Sequence, residues 1–270
     1  MRTVVSAYYQ LPFSKHSTAN YEKWITTFLT QIHAPIHMFV GTEEQKQHFQ
    51  TIRGTLPFHC EVRPFHTLPF QEIDWMNFWK STMEQDAFKH LHSPEQFIIW
   101  NSKSFFVNLA IENNVFSSER FVWCDAGCWR DERVASMVGK SWPIAFRIPD
   151  SMVFLDICDI SWQRKKVLEG AAWDSINTRN AAEQCIGGTI LAGSKRAWLE
   201  WIPLYYETLL IYKATGWFAG DDQSVIMSTE LRGLAEGKFS VVPRHFPAPL
   251  VDGYAGGLGD RWFALQFYLA

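Results

Sequence analysis

Arg120-Phe121-Val122-Trp123-Cys124-Asp125-Ala126-Gly127 is the stretch on which the reading of this chain turns. An apolar run this short, closed abruptly by an acid, a small residue and a glycine, is the pattern of a buried strand that ends in a tight turn. Just before it, Ser102 to about Asn113 reads as a helix, and Phe97–Trp100 as another short apolar strand. Toward the N-terminus the same alternation repeats. Thr3–Tyr9 is a strand, Tyr21–Ile32 a helix with Tyr21, Trp24, Ile25, Phe28 and Ile32 on one face, and Ile36–Val40 a second buried strand. Thr42, followed three residues later by Gln45, opens a helix with a capping box. A further strand covers Cys60–Arg63, and a helical stretch runs around Trp75–His90. Strands alternating with helices at this spacing imply βαβ units. In such sheets ligands bind beyond the carboxyl ends of the strands, so Asp125 stands where chemistry is expected.

The second half is less regular. Met152–Ile157 and Gly188–Ala192 read as strands, Lys195 to about Thr215 as a long helix, and a shorter helix follows Gly220-Asp221-Asp222-Gln223. From Pro243 onward the chain is rich in Pro and Gly and is expected to be irregular. The fold class implied is α/β, with a central mixed, mostly parallel sheet flanked by helices. At 270 residues one large domain spanning 1–270 is expected, in two halves of about 1–127 and 128–270.

Composition narrows the function classes. Apolar residues make up 47% of the chain, enough for a substantial core, and the net charge of −3 gives no reason to expect nucleic acid as a partner. The 13 Trp and 21 Phe are read first as core, with stacking on a ligand as the functional alternative. Five scattered cysteines fit reduced thiols better than a disulfide framework. The N-terminus turns polar too soon for a signal peptide, and no apolar run reaches the roughly 20 residues of a membrane span. A cytoplasmic protein, at most peripheral to a membrane, is expected.

Four local features bear on chemistry. Asp125 could hold a hard divalent cation bridging two phosphates, or bond its own backbone in a turn where Gly127 supplies a positive φ. Asn101-Ser102-Lys103 opens a helix, where amide donors and an ammonium suit a phosphate; a solvated lysine is the plainer reading. Gly187 and Gly188, placed before a strand, allow close backbone approach to a ligand or make a plain turn. In Gly220-Asp221-Asp222-Gln223 an acid could serve as a general base, or merely complement the helix dipole.

In their order and separation these features resemble the HtrL/YibB family of glycosyltransferase-like proteins, and through it the GT-A nucleotide-diphospho-sugar transferases. The matching segments are Val4-Val5-Ser6-Ala7-Tyr8-Tyr9, Tyr21-Glu22-Lys23-Trp24, Asn101-Ser102-Lys103, Asn114-Val115-Phe116, the Phe121–Gly127 segment, Gly187–Gly193 and Asp221-Asp222-Gln223. The resemblance implies a glycosyltransferase moving a sugar from a UDP- or GDP-sugar donor to a hydroxyl of a glycan or glycolipid; the alternative is a catalytically degraded nucleotide-sugar- or carbohydrate-binding protein on the same scaffold. It implies that Ala7, Tyr8 and Tyr9 contact the nucleoside and that Asn101 and Lys103 meet the base or diphosphate. Asp125, Ala126 and Gly127 would stand where GT-A enzymes carry an Asp-x-Asp motif, Gly127 replacing the second acid. Gly187 and Gly188 would line the donor-sugar and acceptor side. Asp222 would be the catalytic acid residue, with Asp221 its neighbour or substitute. Mn²⁺ or Mg²⁺ would bind at Asp125, with His245 completing the set, and Lys15 and His16 would approach phosphate.

Overall fold

The computed structural model describes residues 1–176, 185–238, 241–245 and 261–270. In chain order the elements are β1 (Arg2–Tyr8), α1 (Thr18–Gln31), β2 (Ile36–Val40), α2 (Glu43–Arg53), β3 (Phe58–Val62), α3 (Ile73–Gln85), α4 (Pro94–Asn101), α5 (Lys103–Asn113), β4 (Arg120–Cys124), α6 (Glu132–Val138), β5 (Met152–Asp156), α7 (Ser161–Leu168), α8 (Trp173–Ile176), β6 (Ile186–Ser194), α9 (Lys195–Thr215), α10 (Asp222–Ala235), β7 (Val241–His245) and α11 (Leu265–Tyr268). The strands form one sheet in the order β3-β2-β1-β4-β6-β5-β7. Only β6 runs against its neighbours, pairing antiparallel with β4 and with β5, while the other four pairings are parallel.

Because side chains alternate along a strand, each face of the sheet carries its own core. One contains Val5, Phe39, Phe106, Trp123, Phe154 and Trp198, under α3, α4, α5, α9 and α10. The other contains Val4, Met38, Val122, Val153 and Trp129, under α1, α2, α6 and α11. Trp79, Trp123, Trp129, Trp142, Trp198 and Trp201 are all fully buried, so the high aromatic content is largely core.

Three expectations need correction. Phe97–Trp100 is not a strand but part of α4: Ser93 accepts a hydrogen bond from the Gln96 amide, and Pro94 sits in the first turn. Ser-Pro-Glu-Gln is a helix start, and an apolar run too short to show a period does not distinguish buried strand from buried helix. Gly187 and Gly188 lie inside β6 rather than before it. The register there is irregular: Val153 pairs with Ala192 and Leu155 with Gly187, so two steps along β5 span five along β6. Last, Val241–His245 is a strand, not irregular tail; it lies at the sheet edge, where the missing N–H of Pro243 is tolerated. The long helix Lys195–Thr215 falls where the periodicity placed it.

The strand β5, the helix α7 and the helix α10 are tied by one buried ionic knot. Arg164 donates to both oxygens of Asp156 at 2.6 and 2.8 Å, and to both oxygens of Glu230 at 2.7 and 3.1 Å. Burial works against the guanidinium, yet the two carboxylates hold its pKa above the ordinary value. Arg164→Met leaves two carboxylates uncompensated and should cost about 3–5 kcal/mol in a denaturant melt. Replacing all three residues with apolar side chains of similar volume should cost much less; equal losses would mean that the knot is not what holds these elements.

Candidate functional site

The carboxyl ends of β1 and β4 and the entry to β6 open into a cavity of about 430 Å³. Of the residues singled out from the sequence, Ala7, Tyr9, Lys103, Asp125, Ala126, Gly127, Gly188, Asp221 and Asp222 line it, with Lys15 and His16 from the loop after β1.

Lys103 is the pivot. It opens α5 with a side chain only 5% exposed, and its ammonium lies 3.2 Å from Asp125 Oδ1 and 2.8 Å from Asp222 Oδ2. It also donates to the Gly188 carbonyl at 2.8 Å. An ammonium has three donors, and here each faces an acceptor. Burial opposes the charge, but Asp125 and Asp222 raise the pKa above its ordinary value. Lys103 is therefore not the solvated lysine of a first turn; it is an internal counter-ion joining the turn after β4, the start of α10 and β6.

Asp125 is fixed from two sides. Its Oδ1 accepts from Trp123 Nε1 at 2.6 Å, and its backbone amide donates to the Thr189 carbonyl at 2.9 Å. Trp123 is itself held by stacking on Phe106, with ring centroids 5.8 Å apart. The side chain of Asp125 stays 26% exposed, so it reaches the cavity. Desolvation raises its pKa, Lys103 opposes that and Asp222 adds to it; the net direction is upward. Gly127 does not have a positive φ. A side chain there would instead press on the rings of Tyr21 and Trp24, its Cβ meeting Tyr21 Cε1 at 3.4 Å.

The two adjacent acids differ. Asp221 is the N-cap of α10, its Oδ1 accepting from the Ser224 amide at 3.4 Å, whereas Asp222 faces Lys103. Gly188 explains why: a Cβ on it would lie 2.6 Å from Asp222 Oδ2, so only glycine leaves room for that carboxylate.

Three of the residues do not reach the cavity. Tyr8 alternates to the opposite face of the sheet from Ala7 and Tyr9 and packs on Tyr21 and Phe49, at ring distances of 5.6 and 5.8 Å. Asn101 is fully buried; its amide donates to the carbonyls of Phe97 and Ala219 at 2.9 and 3.0 Å, and its oxygen accepts from Tyr205 at 2.8 Å. It holds the segment leading into Asp221 rather than a ligand. Gly187 points at Leu155, which a Cβ would meet at 3.1 Å. His245 ends β7, opposite Asp156, and its side chain lies outside the described part of the structure.

Several lining residues escaped the sequence reading. Arg130 lines the cavity between the rings of Trp24 and Phe263, at 4.6 and 4.8 Å, and donates from Nε to the Gly127 carbonyl at 3.0 Å. Gln96 and Gln223 also line it, each with a buried side-chain oxygen that has no hydrogen-bond partner among the described residues. Trp100 adds an aromatic wall, packed edge-on to His92 at 5.0 Å. The one signal available for these was position: Trp123 stands two residues before Asp125 on the same face, and Arg130 five residues after it.

Residues 65–232 match a family described as bacterial protein of unknown function (HtrL_YibB). The chain belongs to the HtrL/YibB family. The matched span holds Lys103, Asp125, Gly188 and Asp222, while Val4–Tyr9 and Tyr21–Trp24 lie before it. None of the curated proteins matches the sequence. Among solved structures, core-mannan synthase A (CmsA/Ktr4) from Aspergillus fumigatus, in its Mn/GDP form, is similar over 91% of this chain and 72% of that one, with a TM-score of 0.50 and 12% identity. That likeness shows the fold: this HtrL/YibB chain has the α/β architecture of GT-A glycosyltransferases. Among the described residues no helix is long and apolar enough to cross a membrane.

If Lys103 is the counter-ion described, Lys103→Met should lower stability by about 3–5 kcal/mol, since it strands two carboxylates in a largely dry site. Chemical denaturation at neutral pH measures this, and a loss below about 1 kcal/mol would contradict the role.

Proposed function

We propose that this protein is a glycosyltransferase that moves a sugar from a nucleoside-diphosphate donor to a hydroxyl of a glycan or glycolipid. The observation that carries the reading is the Lys103 cluster, which brings Asp125 and Asp222 together at the carboxyl edge of the sheet, inside a cavity large enough for a drug-sized ligand. The fold adds a prior, not an activity.

In this reading the donor half is built from β1, α5 and β4, within residues 1–127, and the acceptor is met by residues beyond 128. The nucleoside lies along Ala7 and Tyr9. Lys15 and Arg130 bring positive charge to the lining, where a diphosphate would leave, and His16 beside them, its pKa lowered by burial and by these two cations, offers a neutral ring. The unpartnered oxygens of Gln96 and Gln223 are acceptors for sugar or ribose hydroxyls. Asp222 takes the proton of the acceptor hydroxyl as its oxygen bonds to the anomeric carbon, and the bond from that carbon to the diphosphate oxygen breaks. Lys103, 2.8 Å from Asp222, holds that side chain in place; it is a positioning residue that need not touch the donor.

The neighbour's Mn/GDP form suggests a divalent ion as well. Asp125 is a quarter exposed, with its oxygens also engaged by Trp123 and Lys103, so it fits as a single protein ligand, leaving most positions to diphosphate and water, as Mg²⁺ commonly prefers. Such an ion would supply charge neutralisation of the leaving diphosphate.

Two measurements test the reading. Metal and nucleotide should bind cooperatively in calorimetry with UDP or GDP and Mn²⁺, and Asp125→Asn, which also removes one counter-ion of Lys103 and so lowers apo stability, should abolish the cooperativity; cooperative binding retained in the variant would reduce Asp125 to a structural partner of Lys103. Release of nucleoside diphosphate from UDP- and GDP-sugars should fall by roughly a hundredfold or more in Asp222→Asn, as on loss of a general base, with Asp221→Asn milder. Binding without turnover in the unmodified protein would favour a nucleotide-sugar-binding protein instead.

A further inference from the structure

Outside the cavity lining, the β2–β3 edge of the sheet carries a second cluster of ligating side chains. His37 and His59 are register partners on the two strands, and Glu61 follows His59 by two residues, on the same face. One ligand atom from each of the three can be chosen so that all lie within 4.8 Å of one another. His37 is only 1% exposed, and neither of its ring nitrogens has a hydrogen-bond partner among the described residues. Glu61 Oε2 stands 3.6 Å from His37 Nε2, and the rings of His37 and His59 meet nearly at right angles with centroids 4.6 Å apart.

A buried imidazole without a hydrogen bond is costly, and Glu61, at 3.6 Å, stands just beyond hydrogen-bond distance. The surroundings keep the cluster in place. His37 stacks on Phe39 at 4.6 Å; Arg63 donates to Glu61 Oε1 at 2.5 Å and Asn113 to Oε2 at 3.1 Å. A carboxylate has about four lone-pair sites, so these two bonds leave capacity for a further partner.

We propose that His37, His59 and Glu61 bind one first-row divalent ion of the zinc type, clamping the edge strand β3 to β2. Two imidazoles and one carboxylate suit zinc and its neighbours, whereas Mg²⁺ and Ca²⁺ want oxygen ligands. Ligand atoms around tetrahedral zinc lie about 3.4 Å apart, so the His37–Glu61 pair already has the right separation and rotation of the half-buried His59 ring closes the rest. The fourth position is left to water. This site is independent of any ion held at Asp125.

The test uses the full chain without an affinity tag, stripped with chelator and titrated with ZnCl₂ by calorimetry, with melting followed in parallel. One equivalent should bind and raise the melting temperature. His59→Gln and Glu61→Gln should each weaken binding by tenfold or more and remove the thermal shift, while Asp125→Asn should leave both intact. Cobalt loading of the unmodified protein gives a readout that needs no variant: a strong visible spectrum of four-coordinate Co²⁺ is expected. Absence of saturable Zn²⁺ binding, a six-coordinate Co²⁺ spectrum, or affinity unchanged in both glutamine variants would overturn the site.

Discussion

A buried ammonium must be surrounded by acceptors, and satisfying that one requirement at Lys103 shapes the centre of this molecule. Its partners come from three places far apart in sequence: Asp125 after β4, Gly188 in β6 and Asp222 at the start of α10. Each must be delivered to within hydrogen-bond reach of one nitrogen. That explains features that look incidental in isolation. The irregular register of β6 falls at the residues that turn a carbonyl toward Lys103, and Gly188 has no side chain because Asp222 occupies that space. Trp123 anchors Asp125 from within the core, and Asn101 grips the carbonyl of Ala219 just ahead of the acids.

The cluster also sets out charge in a way that would suit the proposed transfer from an anionic donor. Three carboxylates, those of Asp125, Asp221 and Asp222, lie along a cavity whose buried cation already has its donors engaged, while Lys15 and Arg130 stand on the wall. On the function proposed above, the acids would face a cation entering with the ligand, and Lys15 and Arg130 the diphosphate. Preorganisation of this kind is the usual source of electrostatic stabilisation in a site.

Much of the fold was legible in the sequence because its strands are short, apolar and closed by clear turn residues. Arg120–Cys124 with Asp125 behind it, Ile36–Val40 and the long helix from Lys195 all stand where pattern and period placed them. What failed did so for local reasons. Phe97–Trp100 is apolar throughout because Phe97 and Ile98 face core while Ile99 and Trp100 line the cavity, which hides the period of α4, and the cap at Ser93 reveals the helix. In the candidate site Asp125 stood out by its place after a strand and Asp221 and Asp222 by theirs before a helix, whereas Gly188, read as preceding a strand, lies inside β6. The parity of β1, which sends Tyr8 away from Ala7 and Tyr9, and the burial of Lys103 depend on how strands are aligned across the sheet. His37 and His59 could not have been joined from sequence either, since β2 and β3 meet only through their register.

The close approach of Gly188 to Asp222 has an evolutionary side. A methyl group at position 188 would displace the Asp222 carboxylate, and losing that carboxylate would leave Lys103 one acceptor short. Single substitutions at positions 103, 125, 188 and 222 therefore each damage what the other three achieve. Such a quartet drifts little by independent steps: across related chains its members should be kept together or exchanged together, and a lineage that had abandoned one would be expected to have rebuilt the rest.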